Sequence, residues 1–351
     1  MKVTEVRAVY PKWRQVPPAD AWQAHFWQIA VRVTTDAGVT GFGYGGGGQP
    51  AVHVINDHLS RFLVGRAIDD TGDIAAAWDE LYRVSIPYGR GGLAQMALSG
   101  VDLALWDALA RAERCPVHGL IGPRTKEEPV PAYATGNDIE LAARYGYSAV
   151  KLSHRWQTEA DFDSAARQLE AARAALGPAA RLMVDCYMSW PADVAARMAE
   201  LLAPYRPYWF EDVATPEHLA ELAALRPRVK PVLLAGGEHD YTPAAFAEIG
   251  RHGAFDLWQP DVTWAGGITG TLRILKLARR HGVPVVPHRG GEPWGLHVIV
   301  ATDCLALAET MPHRWQKPRD DLWLGEPEVT GGSIDPGDAP GFGVRLNNDL
   351  L

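Results

Sequence analysis

Five polar residues, each at the end of a short apolar run, recur at nearly even spacing through the second half of this 351-residue chain. They are Asp185, Glu211, Glu238, Asp261 and His288, and successive members lie 26, 27, 23 and 27 residues apart. A step of this size fits one strand followed by one helix. In a barrel of such units, the carboxyl ends of the strands converge on one mouth. The spacing therefore predicts several carboxylates and a histidine in one cavity.

The apolar runs from about Val130 onward predict a parallel barrel. Eight of them are typical of strands: PAYAT, SAVKLS, RLMVD, YWFE, VLLAGG, DLWQP, VPVVP and CLALAE. Between them, Thr215–Pro216 and Thr242–Pro243 have the composition of helix first turns. Eight strands at this spacing favour a closed barrel over an open sheet. We expect the barrel to span residues 126–317.

The first part of the chain predicts a separate α+β domain. Ile29, Val31 and Val33 alternate on one face of a strand, and Asp36–Gly38 supplies the turn of a hairpin. Apolar residues at three- and four-residue spacing predict a helix within residues 93–113. We expect residues 1–125 to form a capping domain with a lid at residues 11–27, completed by the Gly- and Pro-rich tail 318–351.

Bulk composition excludes some classes of partner. The formal net charge of −8 gives no general attraction to nucleic acid or to anionic membranes. No apolar run approaches the roughly 20 residues of a membrane span, and the first residues lack the apolar core of a signal peptide. The three cysteines argue against a disulfide framework, so we expect a cytoplasmic protein.

Asp185, Glu211 and Glu238 form a candidate metal site. Three carboxylates on successive strands would repel one another and raise their own pKa values unless a cation balanced them. All-oxygen ligation favours Mg²⁺, with Mn²⁺ as a substitute. The alternative is that each acid caps a helix or ends a strand in a salt bridge.

His288 is the candidate general base. Asp261 ends the preceding strand, and a carboxylate on one imidazole nitrogen raises the basicity of the other. Lys151, on the strand before Asp185, could stabilise an oxyanion or could equally be an ion-pair partner of the acids. Glu309 on the last strand could bond a substrate oxygen, and a solvated strand-end acid is its alternative role.

These residues together resemble the enolase superfamily, in its mandelate-racemase-like group. The stretch ALSGVDLALWDALA at residues 97–110 is similar to the helix signature of that group, and the acids match its magnesium ligands. The resemblance implies an α/β fold with a modified TIM barrel, (β/α)7β, and one Mg²⁺ per subunit. It also implies an Asp261–His288 dyad and a role for Glu309. Many members carry a second lysine where this chain has Ser153, so one-faced proton abstraction is expected rather than racemisation.

Within that group, two features most resemble the L-rhamnonate dehydratases and related acid-sugar dehydratases. Glu238 is followed by His239, and the N-terminal region carries His25. The resemblance implies that His25 contacts the substrate from the lid and that His239 lines the pocket. An exposed hairpin histidine is the alternative for His25. A homo-oligomer, from dimer to octamer, is also implied.

The implied reaction removes the proton next to the carboxylate of an acid sugar, gives an enediolate, and yields a 2-keto-3-deoxy acid. Four alternatives stay open: a sugar lactone cycloisomerase, a one-base epimerase, a Schiff-base aldolase that uses Lys151, and a non-catalytic binder. The stretch GFGYGG at residues 41–46 has the spacing of a dinucleotide motif. Its predicted hairpin context argues against that function.

Overall fold

The computed structural model describes residues 1–12, 23–126, 128–312 and 322–350. It begins with a three-stranded antiparallel sheet whose strand order is β1-β2-β3. Its strands are β1 (Val3–Val9), β2 (Ile29–Thr35) and β3 (Thr40–Gly45). The predicted hairpin is confirmed, since the Thr35 amide donates to the Val39 carbonyl oxygen across the turn at 3.0 Å.

Helices cover the same part of the chain. They are α1 (Gln23–Phe26), α2 (Gly48–His53), α3 (Thr71–Ser85), α4 (Leu93–Ala112) and α5 (Val117–Ile121). The long predicted helix is confirmed as α4, which is buried from Ala94 to Ala110. In the described part of the chain, no helix has both the length and the hydropathy of a membrane-spanning segment.

The glycines of β3 allow that strand to pack directly on α4. A Cβ atom added to Gly41 or Gly43 would overlap the carbonyl oxygen of Ala104 or Gly100, respectively. A Cβ on Gly45 would lie 2.6 Å from the carbonyl oxygen of Met96. The glycine-rich stretch is therefore a packing surface of an antiparallel sheet, which is not the setting of a dinucleotide-binding turn.

The second part of the chain is a parallel sheet that curls back on itself. Neighbouring strands are parallel in the order β10-β4-β5-β6-β7-β8-β9, so the last strand pairs with the first. The strands are β4 (Val130–Thr135), β5 (Ala149–Ser153), β6 (Arg181–Asp185), β7 (Pro207–Glu211), β8 (Leu233–Gly236), β9 (Leu257–Trp258) and β10 (Ala308–Thr310).

Helices connect these strands. They are α6 (Ile139–Arg144), α7 (Ala160–Leu176), α8 (Ala192–Leu202), α9 (Leu219–Leu225), α10 (Pro243–His252), α11 (Gly267–His281) and α12 (Pro293–Ala301). With the N-terminal sheet and helices, this arrangement confirms the predicted fold class, a modified (β/α)7β barrel beside an α+β domain.

The predicted strand at residues 283–287 forms isolated bridges rather than a regular strand. The Val286 amide donates to the Trp258 carbonyl oxygen at 2.9 Å, and the Trp258 amide donates to the Pro284 carbonyl oxygen at 3.0 Å. Pro284 and Pro287 have no N–H to donate, so a continuous ladder cannot form. The segment still fills the gap beside β9, because the Leu305 amide donates to the Val285 carbonyl oxygen at 2.9 Å.

A buried apolar layer fills the interior of the barrel. Each of the seven strand regions and the 283–287 segment contributes one side chain to a single cluster. The eight residues are Tyr133, Ala149, Met183, Trp209, Ala235, Leu257, Val286 and Leu307. This layer closes the barrel below the mouth, as expected for a packed parallel barrel.

The C-terminal tail packs against both parts of the molecule. Its short strands are β11 (Trp323–Leu324), β12 (Ser333–Ile334) and β13 (Arg345–Leu346). The Trp323 ring packs edge-on against Tyr44 of β3 at 5.7 Å, while β12 pairs with β4 of the barrel. The predicted domain limits, 1–125 with 318–351 and 126–317, stay predictions.

Replacing Gly43 with alanine should separate β3 from α4. The added methyl group would overlap the Gly100 backbone, and overpacking of this kind costs about 1–3 kcal/mol. Urea unfolding should show that loss. Gly119→Ala is the control, because its nearest neighbour would lie at 3.8 Å and alanine favours a helix. An unchanged free energy of unfolding in Gly43→Ala would contradict the packing role.

Candidate active site

A polar layer lies directly above the apolar layer. Successive inward-facing side chains of a strand are two residues apart, so the next inward position follows from the apolar cluster. The residues two positions further along are Thr135, Lys151, Asp185, Glu211, Gly237, Gln259, His288 and Glu309. This register places five of the predicted site residues in one ring at the carboxyl ends of the strands.

Lys151 lies at the centre of the acidic side of this ring. Its ammonium nitrogen pairs with Glu211, lies 2.8 Å from Glu309 Oε1 and lies 3.9 Å from Asp185 Oδ2. Burial alone would lower the pKa of Lys151, but Glu211 and Glu309 raise it well above its ordinary value. Lys151 is therefore a fixed cation, which disfavours the nucleophilic neutral amine that a Schiff-base aldolase needs.

Both carboxylate oxygens of Glu211 have partners. Oε1 pairs with Lys151, and Oε2 accepts hydrogen bonds from Trp209 Nε1 at 3.0 Å and from Gln259 Nε2 at 2.6 Å. Burial raises the pKa of Glu211 to about 7, even though Lys151 opposes the shift. The residue is thus positioned firmly and carries charge that its surroundings only partly balance.

Glu309 is held by donors from three directions. Thr135 Oγ1 donates to Oε1 at 2.5 Å, the backbone amide of Arg289 donates to Oε2 at 2.7 Å, and Lys151 pairs with Oε1. Burial would raise the pKa of Glu309, but Lys151 and His288 lower it to about 2. The structure therefore places an ionised carboxylate on the β10 side of the mouth.

Asp261 and His288 form a hydrogen-bonded pair across neighbouring segments. His288 Nδ1 lies 2.8 Å from Asp261 Oδ2, and Arg289 Nε lies 2.9 Å from the same oxygen. The amide and hydroxyl of Thr263 donate to Asp261 Oδ1 at 2.7 and 2.8 Å. Burial would raise the pKa of Asp261, but Arg289 and His288 hold it below its usual range.

The second nitrogen of His288 faces the acids. His288 Nε2 lies 3.4 Å from Glu238 Oε2 and 4.0 Å from Glu309 Oε2. Burial lowers the pKa of His288, but Glu238, Glu309 and Asp261 together raise it to about 10. Nδ1 is therefore bound to Asp261, and Nε2 is the nitrogen directed at the space between the carboxylates.

Glu238 belongs to a second group of possible metal ligands with Asp212 and His239. One ligand atom of each residue lies within 4.8 Å of the others. His239 Nε2 lies 3.5 Å from both Asp212 Oδ2 and Glu238 Oε1. The sequence predicted Asp185, Glu211 and Glu238 as the metal-binding set, and the two sets share Glu238.

Negative charge exceeds positive charge in this cluster. Six carboxylates meet two permanent cations and two histidines: Asp185, Glu211, Asp212, Glu238, Asp261 and Glu309, with Lys151, Arg289, His239 and His288. Burial raises the pKa values of Asp185, Glu211 and Asp212, and repulsion from neighbouring acids adds to each shift. A donor set of this kind fits a hard divalent cation such as Mg²⁺.

Asp212 and Arg289 are site residues that the sequence argument missed. Each follows a predicted site residue directly, so strand alternation would direct its side chain away from the mouth. Their backbones have φ values of 46° and 51°, in the left-handed region. That conformation ends the strand and is a form of strain found at functional sites. The sequence signal for each was a second polar residue directly after the predicted one: Asp212 after Glu211, and Arg289 after His288.

His25 is not joined to this cluster in the structure. It is exposed at the end of α1, and among the described residues no hydrogen bond or ion pair links its side chain to the barrel. The backbone next to His25 lies against the glycine loop, residues 46–48, since the Gly48 amide donates to the Trp27 carbonyl oxygen at 2.7 Å. Most of the predicted lid, residues 13–22, lies outside the described residues.

The glycine loop that follows β3 borders the barrel mouth. A Cβ on Gly46 would lie 2.9 Å from Trp264 Nε1. The Trp264 ring packs against His288 at 5.6 Å and against His239 at 6.2 Å. One wall of the mouth is therefore aromatic and lies next to the N-terminal domain.

Comparison with protein families agrees with this geometry. Residues 3–122 match the mandelate racemase / muconate lactonizing enzyme N-terminal domain, and residues 134–350 match the enolase C-terminal domain-like family. The chain belongs to the mandelate racemase and muconate lactonizing enzyme family. The resemblance inferred from the sequence is thereby confirmed.

Two relatives show how closely the chain follows the family. A Caldivirga maquilingensis protein provisionally named L-rhamnonate dehydratase is 34% identical in an alignment that covers 98% of this chain and 87% of that protein. The L-rhamnonate dehydratase of Saccharopolyspora erythraea is 32% identical over 331 residues, which cover 92% of this chain and 84% of that protein.

Solved structures of similar proteins share the whole fold. L-rhamnonate dehydratase from Gibberella zeae matches with a TM-score of 0.89 at 28% identity, over 99% of this chain and 94% of that one. A structure of the Gibberella zeae enzyme in complex with Mg matches with a TM-score of 0.88 at 27% identity, over 99% and 95%. The 3,6-anhydro-D-galactonate cycloisomerase from Zobellia galactanivorans matches with a TM-score of 0.87 at 26% identity, over 99% and 98%.

Replacing Lys151 with methionine should destabilise the metal-free protein. The change leaves Glu211 and Glu309 buried without their shared cation, and loss of one partner of a buried ion pair costs roughly 3–5 kcal/mol. Urea unfolding in EDTA measures the loss. Lys230→Met is the control. The Lys230 side chain pairs with Asp256 but is 43% exposed, and exposed ion pairs contribute only about 0–1 kcal/mol. Equal losses in the two variants would contradict the central role of Lys151.

Proposed function

We propose that this chain is a Mg²⁺-dependent dehydratase of an acid sugar, an aldonate of the L-rhamnonate type, and that it makes a 2-keto-3-deoxy acid. The observation that carries the proposal is His288, which Asp261 holds through Nδ1 while Nε2 faces the acidic cluster. The similarity to L-rhamnonate dehydratases along most of both chains supports the reaction and the substrate class.

Asp185, Glu211 and Glu238 would hold one Mg²⁺ per subunit. The support is electrostatic, because Glu238 raises the pKa of Asp185, and both Asp185 and Glu238 raise the pKa of Glu211 beyond the effect of burial. Asp212 and His239 lie beside Glu238 and would adjust its orientation. When bound, the ion supplies Lewis-acid polarisation of the substrate carboxylate.

His288 would take the proton from the carbon next to that carboxylate. The ionised Asp261 binds Nδ1–H, so Nε2 is the nitrogen that would take the proton once His288 is neutral. Glu238 contributes most to the raised pKa of His288, and a cation bound to Glu238 would offset that negative charge and lower the pKa toward the range of a base. Arg289 shares Asp261 Oδ2 and keeps that carboxylate ionised and in place. The C–H bond breaks, the proton passes to Nε2, and the substrate becomes an enediolate.

Lys151 would stabilise the negative charge that develops on the substrate. Its cation is already buried and oriented by Glu211 and Glu309, so little reorganisation is needed. The bond between the β-carbon and its hydroxyl then breaks, and His288 returns its proton to the departing oxygen in a syn elimination. The product enol tautomerises to the 2-keto-3-deoxy acid. Glu309, His239 and, from the lid, His25 are the proposed substrate contacts.

The far side of the mouth supports a one-base reaction. Ser153 stands where many family members carry a second lysine, and its hydroxyl lies 3.0 Å from the Tyr187 hydroxyl. Lys151 is tied to the acids as a cation. Neither residue is suited to take a proton, which disfavours racemisation through two bases.

A cycloisomerase is the second candidate. The structural match to the Zobellia galactanivorans cycloisomerase is nearly as close as the match to the dehydratase. A one-base proton transfer also serves cycloisomerisation and epimerisation, so the dyad alone does not separate these reactions. The product does, because only dehydration removes water and creates a 2-keto group from a linear acid sugar.

Replacing His288 with asparagine should lower turnover by about 10²–10⁴, because the proton acceptor is lost. A panel of acid sugars with Mg²⁺, scored by semicarbazide detection of the 2-keto acid, measures the rate. His252→Asn is the control, since His252 is exposed at the end of α10. Full activity in His288→Asn would overturn the assignment of the base.

Further measurements with the same panel of acid sugars distinguish the rival reactions. Inactivation by EDTA with recovery on adding Mg²⁺ is expected for the dehydratase. Trapping of a substrate adduct by borohydride at Lys151 would instead establish an aldolase. Proton exchange or ring closure without a 2-keto product would favour the epimerase or the cycloisomerase.

A further inference from the structure

The family-like stretch of α4 contains buried polar residues to which the proposed reaction gives no task. Ser99, Asp102 and Trp106 lie on this helix of the N-terminal domain and are at most 3% exposed. They follow one another at three- and four-residue spacing, so they share one face of the helix. That face is directed at the barrel.

This face of α4 binds the loop that leads from Asp261 into α11. Ser99 Oγ accepts a hydrogen bond from the Gly266 amide at 2.8 Å. Asp102 Oδ2 accepts from the Thr269 amide at 3.0 Å, and Trp106 Nε1 donates to Thr269 Oγ1 at 3.0 Å. Because Thr269 lies in the first turn of α11, Asp102 caps a barrel helix from the other part of the molecule.

Two glycines make this approach possible. Gly266 and Gly267 have φ values of 91° and 72°, and a Cβ on Gly267 would overlap the Asp102 carboxylate. Trp78 of α3 completes the contact, since its Nε1 donates to the Gly266 carbonyl oxygen at 2.8 Å. The amide and the carbonyl of Gly266 are thus both bonded to the N-terminal domain.

The other end of the same loop carries the partner of the base. The Asp261 carbonyl oxygen accepts from the amides of Trp264 and Ala265 at 3.0 and 2.7 Å, so the loop is a tight turn. Thr263 bonds Asp261 Oδ1, and the Trp264 ring packs on His288. A shift of Gly266 would therefore reach Asp261 and His288 within five residues.

Packing alone does not account for Asp102. Its Oδ1 is buried and has no hydrogen-bond partner among the described residues, which costs free energy. Burial also raises the pKa of Asp102 to about 7. An apolar residue of similar size would avoid both costs but could not cap α11.

We infer that Asp102 is a positioning residue for proton abstraction: it caps α11 and thereby fixes the turn 261–266, which orients Asp261 and the His288 ring. The inference rests on the proposed role of His288 as the base. It gives the N-terminal domain a part in the chemistry besides covering the mouth.

Asp107 supplies a matched control on the same helix. It is equally buried, but it accepts from the Phe42 and Phe342 amides at 2.8 and 2.9 Å and from Arg111, so it serves the sheet and the tail. Asp102→Ala and Asp107→Ala should both unfold at lower urea concentration. Asp102→Ala should also lower kcat ten- to hundredfold with KM changed less than threefold, because small misplacements of a catalytic group cost about that much. Asp107→Ala should keep kcat.

Asp102→Asn provides the rescue, because its amide oxygen can still accept from Thr269. It should restore kcat to within about threefold of the unmodified enzyme. Ser99→Ala removes one bond to the loop and should lower kcat about three- to tenfold, and it decides the question if Asp102→Ala does not fold. Unchanged kcat in Asp102→Ala, or equal losses of kcat in Asp102→Ala and Asp107→Ala, would overturn the inference.

A readout without substrate keeps this test separate from the proposed function. In ¹⁵N-histidine-labelled protein, the downfield Nδ1–H signal of His288 reports its bond to Asp261. Asp102→Ala should shift or broaden this signal, and Asp107→Ala should leave it unchanged. If the unmodified protein dehydrates none of the acid sugars, the proposed function fails, while this signal still supports or overturns the positioning role.

Discussion

Uncompensated negative charge at the mouth of the barrel is the constraint on which the rest of the site depends. Lys151 balances Glu211 and Glu309, and Arg289 balances Asp261. Asp185 has only the more distant Lys151 at 3.9 Å, and Asp212 and Glu238 pair with histidines but with no lysine or arginine among the described residues. Buried charges of one sign are costly unless they are paired or bind a metal. The mouth therefore carries an excess of negative charge that a divalent cation would balance, and His288 Nε2 faces Glu238 of the same cluster.

The apolar and polar layers follow from one register. In each strand region the polar-layer residue lies two positions after the apolar-layer residue, so the packed interior supports the polar layer directly. The end of β9 departs from this pattern. Gln259 occupies the polar layer and bonds Glu211, while Asp261 lies a further two residues along, in a turn that α4 holds from outside the barrel. The orientation of the Asp261–His288 pair thus depends on both parts of the molecule.

The sequence predicted the residues whose position depends on local regularity. Asp185, Glu211 and His288 could be found because strand endings and strand–helix lengths are visible in one chain. Asp212 could not, because a left-handed backbone turn, rather than alternation, brings it to the mouth. Arg289 was missed for the same reason.

Other parts of the structure depend on contacts distant in sequence. The segment 283–287 is irregular because Pro284 and Pro287 have no N–H to donate. Both prolines are visible in the sequence, but the apolar pattern around them predicted a regular strand. The predicted hairpin around the β3 glycines argued against a dinucleotide motif. Their close packing against α4, including Gly100, is visible only in the structure. The contact of Asp102 with α11 joins residues 167 positions apart and has no local signal.

Calorimetric titration of Mg²⁺ into the metal-free protein measures whether the acidic cluster binds a divalent cation. We expect saturable binding of one ion per chain, lost or strongly weakened in Glu238→Gln, which alters the acid shared by both candidate ligand sets. Asp185→Asn should weaken binding more than Asp212→Asn if Asp185, Glu211 and Glu238 are the ligands. Absence of saturable binding, or undiminished binding in Glu238→Gln, would contradict the claim that this cluster is built around a divalent cation.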